Sequence, residues 1–171
     1  DYLMLHDLNT QESPNPSPYG WLPRQTKAYA NIPDKVQKDS AEQLRHALNL
    51  GEIESARLLI AKGANPNEQS ENNGTTLLYV ATQRGDDELA RWLLLEKRAD
   101  ATIANRSGRT ALHQAALFGR IVIASLLVES GGDVDATDAT SKTPIDFAQQ
   151  RNSRELVDIL LAAKEKRDAL K

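Results

Sequence analysis

Three histidines, His6, His46 and His113, are the side chains that could move protons near neutral pH. Metal binding would need two of them at helical spacing with a carboxylate, and no HExxH or comparable pair occurs. With no Cys in 171 residues, thiolate zinc sites, a cysteine nucleophile and a disulfide framework are excluded. Carboxylates cluster at Asp86-Asp87-Glu88 and at Asp133, Asp135 and Asp138. The first cluster suits the positive end of a helix dipole. The second lacks the distal Glu of a calcium loop and reads as a turn rich in Asp for conformational reasons. Gly131-Gly132 is a helix stop, not a phosphate cradle. Asn73-Gly74-Thr75 and Asn105-Arg106-Ser107 match the glycosylation sequon, but turns require Asn and Gly there in any case. The residues therefore predict no catalytic centre, no metal and no cofactor.

The elements that would position any site come from a repeat. Gly51, Gly85 and Gly119 are 34 residues apart, and Asn152 follows after 33. Ala47, Ala81, Ala115 and Ala148 keep nearly the same step, as do the Leu pairs 58–59, 93–94, 126–127 and 160–161. Two short helices per unit of this length indicate a stacked array. Thr76, Thr110 and Thr143 are expected to cap the first helix of their units, with Pro144 at the first helical position. The repeated Gly, or Asn, ends that helix in the left-handed conformation. Apolar stripes such as Val122-Leu126 and Leu156-Ile159-Leu160 then mark the second helix, which Gly63 and Gly131-Gly132 terminate.

These residues resemble the ankyrin repeat. Thr110-Ala111-Leu112-His113-Gln114-Ala115-Ala116-Leu117-Phe118-Gly119-Arg120 is similar to that family's Thr-Pro-Leu-His-x-Ala-Ala-x-x-Gly-His signature. Gly63-Ala64-Asn65-Pro66-Asn67 and Gly132-Asp133-Val134-Asp135-Ala136 resemble its turn, and Thr76–Ala81 and Thr143–Ala148 are degraded copies. The resemblance covers about residues 40–165. It implies an all-α solenoid of four helix-turn-helix repeats, near 40–73, 74–107, 108–140 and 141–171. It also implies that His113 hydrogen-bonds between neighbouring turns. Two departures leave local geometry open: unit two carries an extra residue near Lys97-Arg98 without the usual Gly, and the stretch from Asn65 to Gly74 is one residue longer than its successor. The polar run Lys164–Asp168 reads as a cap on the last unit.

Residues 1–39 differ in texture. Five of the seven Pro lie in the first 33 residues, with Tyr2, Tyr19, Trp21 and Tyr29. Pro14-Asn15-Pro16-Ser17-Pro18 predicts an extended arm, and Ser40-Ala41-Glu42-Gln43 has capping-box spacing that predicts a helix start at Ser40. Tyr19 and Trp21 are expected to dock on the folded body or to contact a partner.

The resemblance implies a non-catalytic module that binds another protein through finger tips and the exposed face of each first helix. Carried onto this chain, that surface includes Leu50, Arg84, Arg106, Arg109, Leu117, Phe118, Arg120 and Arg151. Leu50, Leu117 and Phe118 predict an apolar centre, and the five Arg a basic rim around it. Replacing Phe118 and Arg109 together is expected to weaken binding without loss of stability. The module would be an adaptor, or an inhibitor masking a partner enzyme, with Tyr19 to Trp21 entering the cleft in the latter case. A regulatory or positioning segment of a larger enzyme is the alternative.

Composition agrees: 40% hydrophobic and 26% charged residues fit a folded domain, and a net charge of -3 gives no nucleic-acid signature. No apolar stretch approaches membrane-spanning length, and a monomer is expected. The start at Asp1 leaves open a fragment or a chain whose leader was removed, so localisation is unassigned, with the cytoplasm preferred over export.

Overall fold

The computed structural model describes residues 34–170, with side chains from residue 39 onward. Tyr19, Trp21 and the other residues of the expected arm up to 33 lie outside the described residues, whereas 34–39 belong to the first helix. The described part is helical, with no strand, and forms four helical hairpins. Helices α1 (Asp34–Leu50), α3 (Leu77–Arg84), α5 (Ala111–Phe118) and α7 (Pro144–Gln150) are the first helices. Helices α2 (Ile53–Ala61), α4 (Asp87–Arg91), α6 (Ile121–Glu129) and α8 (Arg154–Asp168) are the second ones. In the two rows, α3 packs on α5 and α5 on α7, while α4 packs on α6 and α6 on α8. The helix start expected at Ser40 is corrected: α1 begins at Asp34, directly after Pro33, and Ser40 lies within it.

The first helices of units two to four have the expected start. The Thr76 hydroxyl accepts the Tyr79 amide at 3.2 Å. Thr110 forms a capping box with His113, and Thr143 forms one with Asp146. Each then reverses at a left-handed residue: Gly85 at φ 74°, Gly119 at 68° and Asn152 at 57°. Asp86 caps α4, accepting the Leu89 amide at 2.9 Å, so the carboxylates at 86–88 do begin a helix. Between the helix rows, Leu77, Leu78, Leu112, Ile123, Leu127, Leu156 and Leu160 are buried. Each such side chain contributes roughly 1.5–3 kcal/mol. Ala81, Ala115 and Ala148 are fully buried where first helices approach one another.

Both departures from the repeat have a physical resolution. In unit two, helix α4 widens into a π-helical turn over Trp92–Glu96. The Ala99 amide bonds back to Leu93 O, six residues earlier, whereas Ala64 and Gly132 bond to Leu59 O and Leu127 O, five residues earlier. The π turn therefore absorbs the extra residue without shifting the core register. Arg98 stands at φ 53° where Gly63 and Gly131 serve elsewhere. In the finger before unit two, the loop closes from the Ser70 amide to Thr75 O, one residue wider than the Asn105-to-Arg109 and Asp138-to-Lys142 closures.

The end of the array is latched as well as polar. Lys164 bridges Asp135 at 2.8 Å, and Arg167 bridges Asp133 at 3.2 Å and also Asp135. Helix α8 runs straight through the position where the other units turn into a finger.

Gly51→Ala and Gly85→Ala both place a Cβ at a positive φ, at a cost of about 1 kcal/mol. At Gly51 the added atom meets open space, whereas at Gly85 it lands 2.5 Å from Arg120 Cζ. Gly85→Ala should therefore lower the urea midpoint more than Gly51→Ala, and Arg120→Ala should cost less in the Gly85→Ala background than in the wild type.

Candidate interaction surface

Stacking by a fixed step puts equivalent positions of successive units in rows. The residue before each left-handed reversal is Leu50, Arg84, Phe118 and Arg151 in units one to four. All four are exposed, Leu50 to 60% and Phe118 to 37%, and Leu117 beside Phe118 is half-buried. They form a ridge along the carboxyl ends of the first helices. Leu50 stands at its looser end, because α1 packs chiefly against α2.

Arg120 and Arg151 lie across the seams of this ridge. Arg120 Nη2 donates to Gln83 O and Arg84 O at 3.4 and 3.3 Å, and Arg151 Nη1 donates to Leu117 O at 3.3 Å. Each guanidinium covers the reversal glycine of the unit before it and satisfies carbonyls that the helix end leaves open. Cations also suit the negative end of the helix dipole. Neither Arg is a free rim group as expected from sequence; each ties two repeats together.

The other two rim residues sit elsewhere. Arg106 and Arg109 precede α5, whereas Phe118 ends it, and eight helical residues span about 12 Å. Five Arg around one apolar centre is therefore not what the fold builds. Arg106 is exposed on the finger, its amide bonded to Asn73 O of the preceding finger at 2.9 Å. Arg109 is committed: Nε donates to Asp138 Oδ2 at 3.1 Å, and its Cζ lies 5.0 Å from the Phe147 ring centroid. The Asp138 side chain is only 2% exposed, so removing Arg109 would leave a buried carboxylate short of a partner. The expectation that Arg109 can be replaced without loss of stability is corrected on that ground.

Sequence reasoning anticipated the His113 bond between neighbouring turns but missed the Asp138 centre beside it. Asp138 Oδ1 accepts the Thr140 amide at 2.8 Å, the Thr140 hydroxyl at 2.7 Å and the Lys142 amide at 3.1 Å. Burial alone would raise the Asp138 carboxyl, but these donors with Arg109 override it and hold it far below the usual carboxylate range. His113 is fully buried; its Nδ1 accepts the Thr110 amide at 3.1 Å, which leaves Nε2 to donate to Lys142 O at 3.1 Å. Burial lowers its pKa, against the raising influence of the Lys142 carbonyl and Asp138. A second tie joins units two and three. Gln114 donates to the Tyr79 hydroxyl, and Asn105 Nδ2 donates to it at 3.2 Å. Burial raises the Tyr79 pKa. The available signal was position: Asn105 and Asp138 are 33 residues apart at the same finger site.

Among the described residues no group of three or more His, Asp or Glu is placed to hold a metal ion. No described helix is long and apolar enough to cross a membrane. The described hollows are open and shallow; one of about 480 Å³ lies by Glu52, Ile53, Arg84 and Asp86.

The sequence profile of ankyrin repeats (3 copies) matches in three overlapping stretches, 26–105, 44–138 and 94–169. The chain belongs to the ankyrin repeat family. It is 32% identical over 137 residues to the E3 ubiquitin-protein ligase Ufd4 of Drosophila melanogaster, covering 78% of this chain and 4% of that protein. It is 28% identical over 130 residues to a putative ankyrin repeat protein of fowlpox virus, covering 73% and 38%. The mouse B-cell lymphoma 3 protein homolog is 33% identical over 109 residues, covering 61% and 24%. The chain thus spans well under half the length of each of these relatives. Ankyrin repeats are in general protein-protein interaction modules, typically non-catalytic.

Two measurements check the buried cluster. Asp138→Asn should cost less than Asp138→Ala in urea unfolding, because an Asn oxygen keeps the Oδ1 bonds as Asn105 does at its site, but its amide cannot accept from Arg109 Nε; Asp138→Ala should cost on the order of 3 kcal/mol. His113 has a folded pKa below its unfolded value near 6.5. The unfolded chain therefore binds more protons, and the stability from neutral His113 is complete above about pH 6.5 and is lost as pH falls. The stability gap between wild type and His113→Gln should narrow below that pH.

Proposed function

We propose that this chain is a non-catalytic binding module whose ridge of Arg84, Leu117, Phe118 and Arg151 contacts a partner protein, with Leu50 at its edge. The observation that carries the reading is Phe118. Its equivalents in the neighbouring units are arginines, yet it is a large apolar side chain, 37% exposed. Covering it would contribute about 1.5–3 kcal/mol at most. Arg is enriched at binding hot spots, and Arg120 and Arg151 stiffen the seams on either side of Phe118. A rigid ridge loses little entropy on binding. Such a wall acts as an adaptor, or as an inhibitor that covers a partner enzyme. The reading takes the chain as a monomer that needs no cofactor and binds neither nucleic acid nor membrane, in keeping with its net charge of -3.

The small share of each relative that the chain matches favours a second setting for the same surface. The relative named an E3 ubiquitin-protein ligase aligns over 4% of its length, so the repeats there are one part of a much larger protein. In that setting the ridge positions a client for chemistry located elsewhere.

Phe118→Glu should remove a defined set of proteins from those captured by the full chain and weaken each purified partner by more than roughly tenfold. Its circular dichroism and melting temperature should stay near wild type, since Phe118 lies outside the buried rows. An unchanged set would remove the ridge as the contact.

A further inference from the structure

We infer that the ridge receives an acidic amphipathic α-helix of a partner protein, laid along the stack. This rests on the ridge being the contact surface, as proposed above. Three observations carry it.

The first is charge. Arg84, Arg120 and Arg151 form no ion pair with a carboxylate among the described residues. Arg120 and Arg151 spend part of their guanidinium groups on neutral carbonyls, which leaves their positive charge intact. Phe118 therefore stands between Arg84 on one side and Arg151 on the other, with no negative group offsetting them by direct contact. An occupant needs an apolar residue flanked by carboxylates.

The second is the accounting of backbone groups. An extended peptide gains affinity chiefly from main-chain hydrogen bonds to an exposed edge. Three of the helix-end carbonyls along the ridge, Gln83 O, Arg84 O and Leu117 O, already accept from Arg120 and Arg151, and the ridge has no strand edge to extend. A helix satisfies its own backbone and needs no such partners.

The third is spacing. Packed helices lie about 8–10 Å apart, so Arg84, Phe118 and Arg151 recur at that step along α3, α5 and α7. Two helical turns, seven residues, advance about 10.5 Å. A partner helix with Asp or Glu at i, an apolar residue at i+7 and Asp or Glu at i+14 meets all three. Arg84 itself lines one hollow with Glu52, Glu54 and Asp86, so the wall turns acidic on its unit-one side. The acidic stretch of the partner is thereby confined to units two to four, and the direction of the charge pattern fixes its register.

The test selects two displayed libraries against the full chain. One is a set of 28-residue helices randomised on one face, the other a set of random unstructured 16-residue peptides. Binders that Phe118→Glu abolishes are kept. The expected result is that they come from the helical library and carry carboxylates seven residues on either side of an apolar residue. Arg84→Glu, which removes no intramolecular hydrogen bond of that side chain, should weaken them about tenfold, and replacing the facing peptide carboxylate with Lys should restore binding. Phe118-dependent binders drawn from the unstructured library, or lacking the acidic pattern, or indifferent to Arg84→Glu, would overturn the helix assignment while leaving the ridge. Selections that yield no Phe118-dependent binder reject the ridge itself.

Discussion

A hairpin made of helices seven to nine residues long cannot bury an apolar face alone. Its stability comes from the neighbour, so each unit must meet the next at one fixed offset. The reversal between the two helices sets that offset. Gly85, Gly119 and Asn152 hold positive φ at the same place in successive units. Once that holds, Ala81, Ala115 and Ala148 fall where first helices come closest, and the Leu and Ile side chains fill the space between rows. The π turn in unit two shows how strictly the offset is kept. Rather than let one extra residue rotate Leu93 and Leu94 out of the core, the helix widens after Arg91 and ejects Leu95 to solvent.

Apolar packing is tolerant of small slides, whereas the polar ties between units are not. Arg109 reaches Asp138 and Phe147, His113 reaches Lys142 O, and Tyr79 gathers Gln114 and Asn105. Arg106 and Ala139 each donate a backbone N–H to the finger before, at 2.9 Å. Arg120 and Arg151 do the same work at the opposite ends of the first helices. Units two to four are thus pinned at both the finger end and the reversal end, with helix packing between. Unit one is held differently: Arg45 pairs with Glu68 and Glu71 of the next finger, and Asn49 accepts the Asn72 amide, but no Arg covers Gly51. Its equivalent of Arg120 in unit two is Asp86, which is occupied in capping α4.

The repeat, the caps and the reversals could be read in the sequence because each rests on one residue type with one local role. Thr as an N-cap and Gly at positive φ depend on their own backbone, so spacing alone exposes them. The extra residue in unit two was visible too, but not its solution, because absorbing it by a π turn depends on Leu93 staying buried. The start of α1 was misplaced for a similar reason: Ser40 and Gln43 satisfy a local pattern, but continuation of the helix back to Asp34 overrode it. The arginines were legible as a set and not as an arrangement. Arg109, Arg120 and Arg151 look alike in sequence, and only their partners, 29 to 37 residues away, show that they serve neighbouring units. Finger residues are committed in the same way: Thr75 is buried, and Gln69, although exposed, bridges Gly74 O and Ala104 O.

That distinction decides which residues remain available for a partner. A side chain already bonded across a seam can lend charge to a neighbour but cannot move to fit it. A side chain with no intramolecular partner can do both. By this criterion Arg109 belongs to the scaffold, and Arg120 and Arg151 supply fixed charge. On the proposed ridge, Arg84 and Phe118 would be the adaptable contacts. The surface is therefore stiff where charge must be presented and yielding only at two adjacent points one repeat apart. A partner that fits it gains specificity from the spacing of charges more than from total area, and a mutation in a seam should alter recognition by shifting that spacing even when it touches no partner.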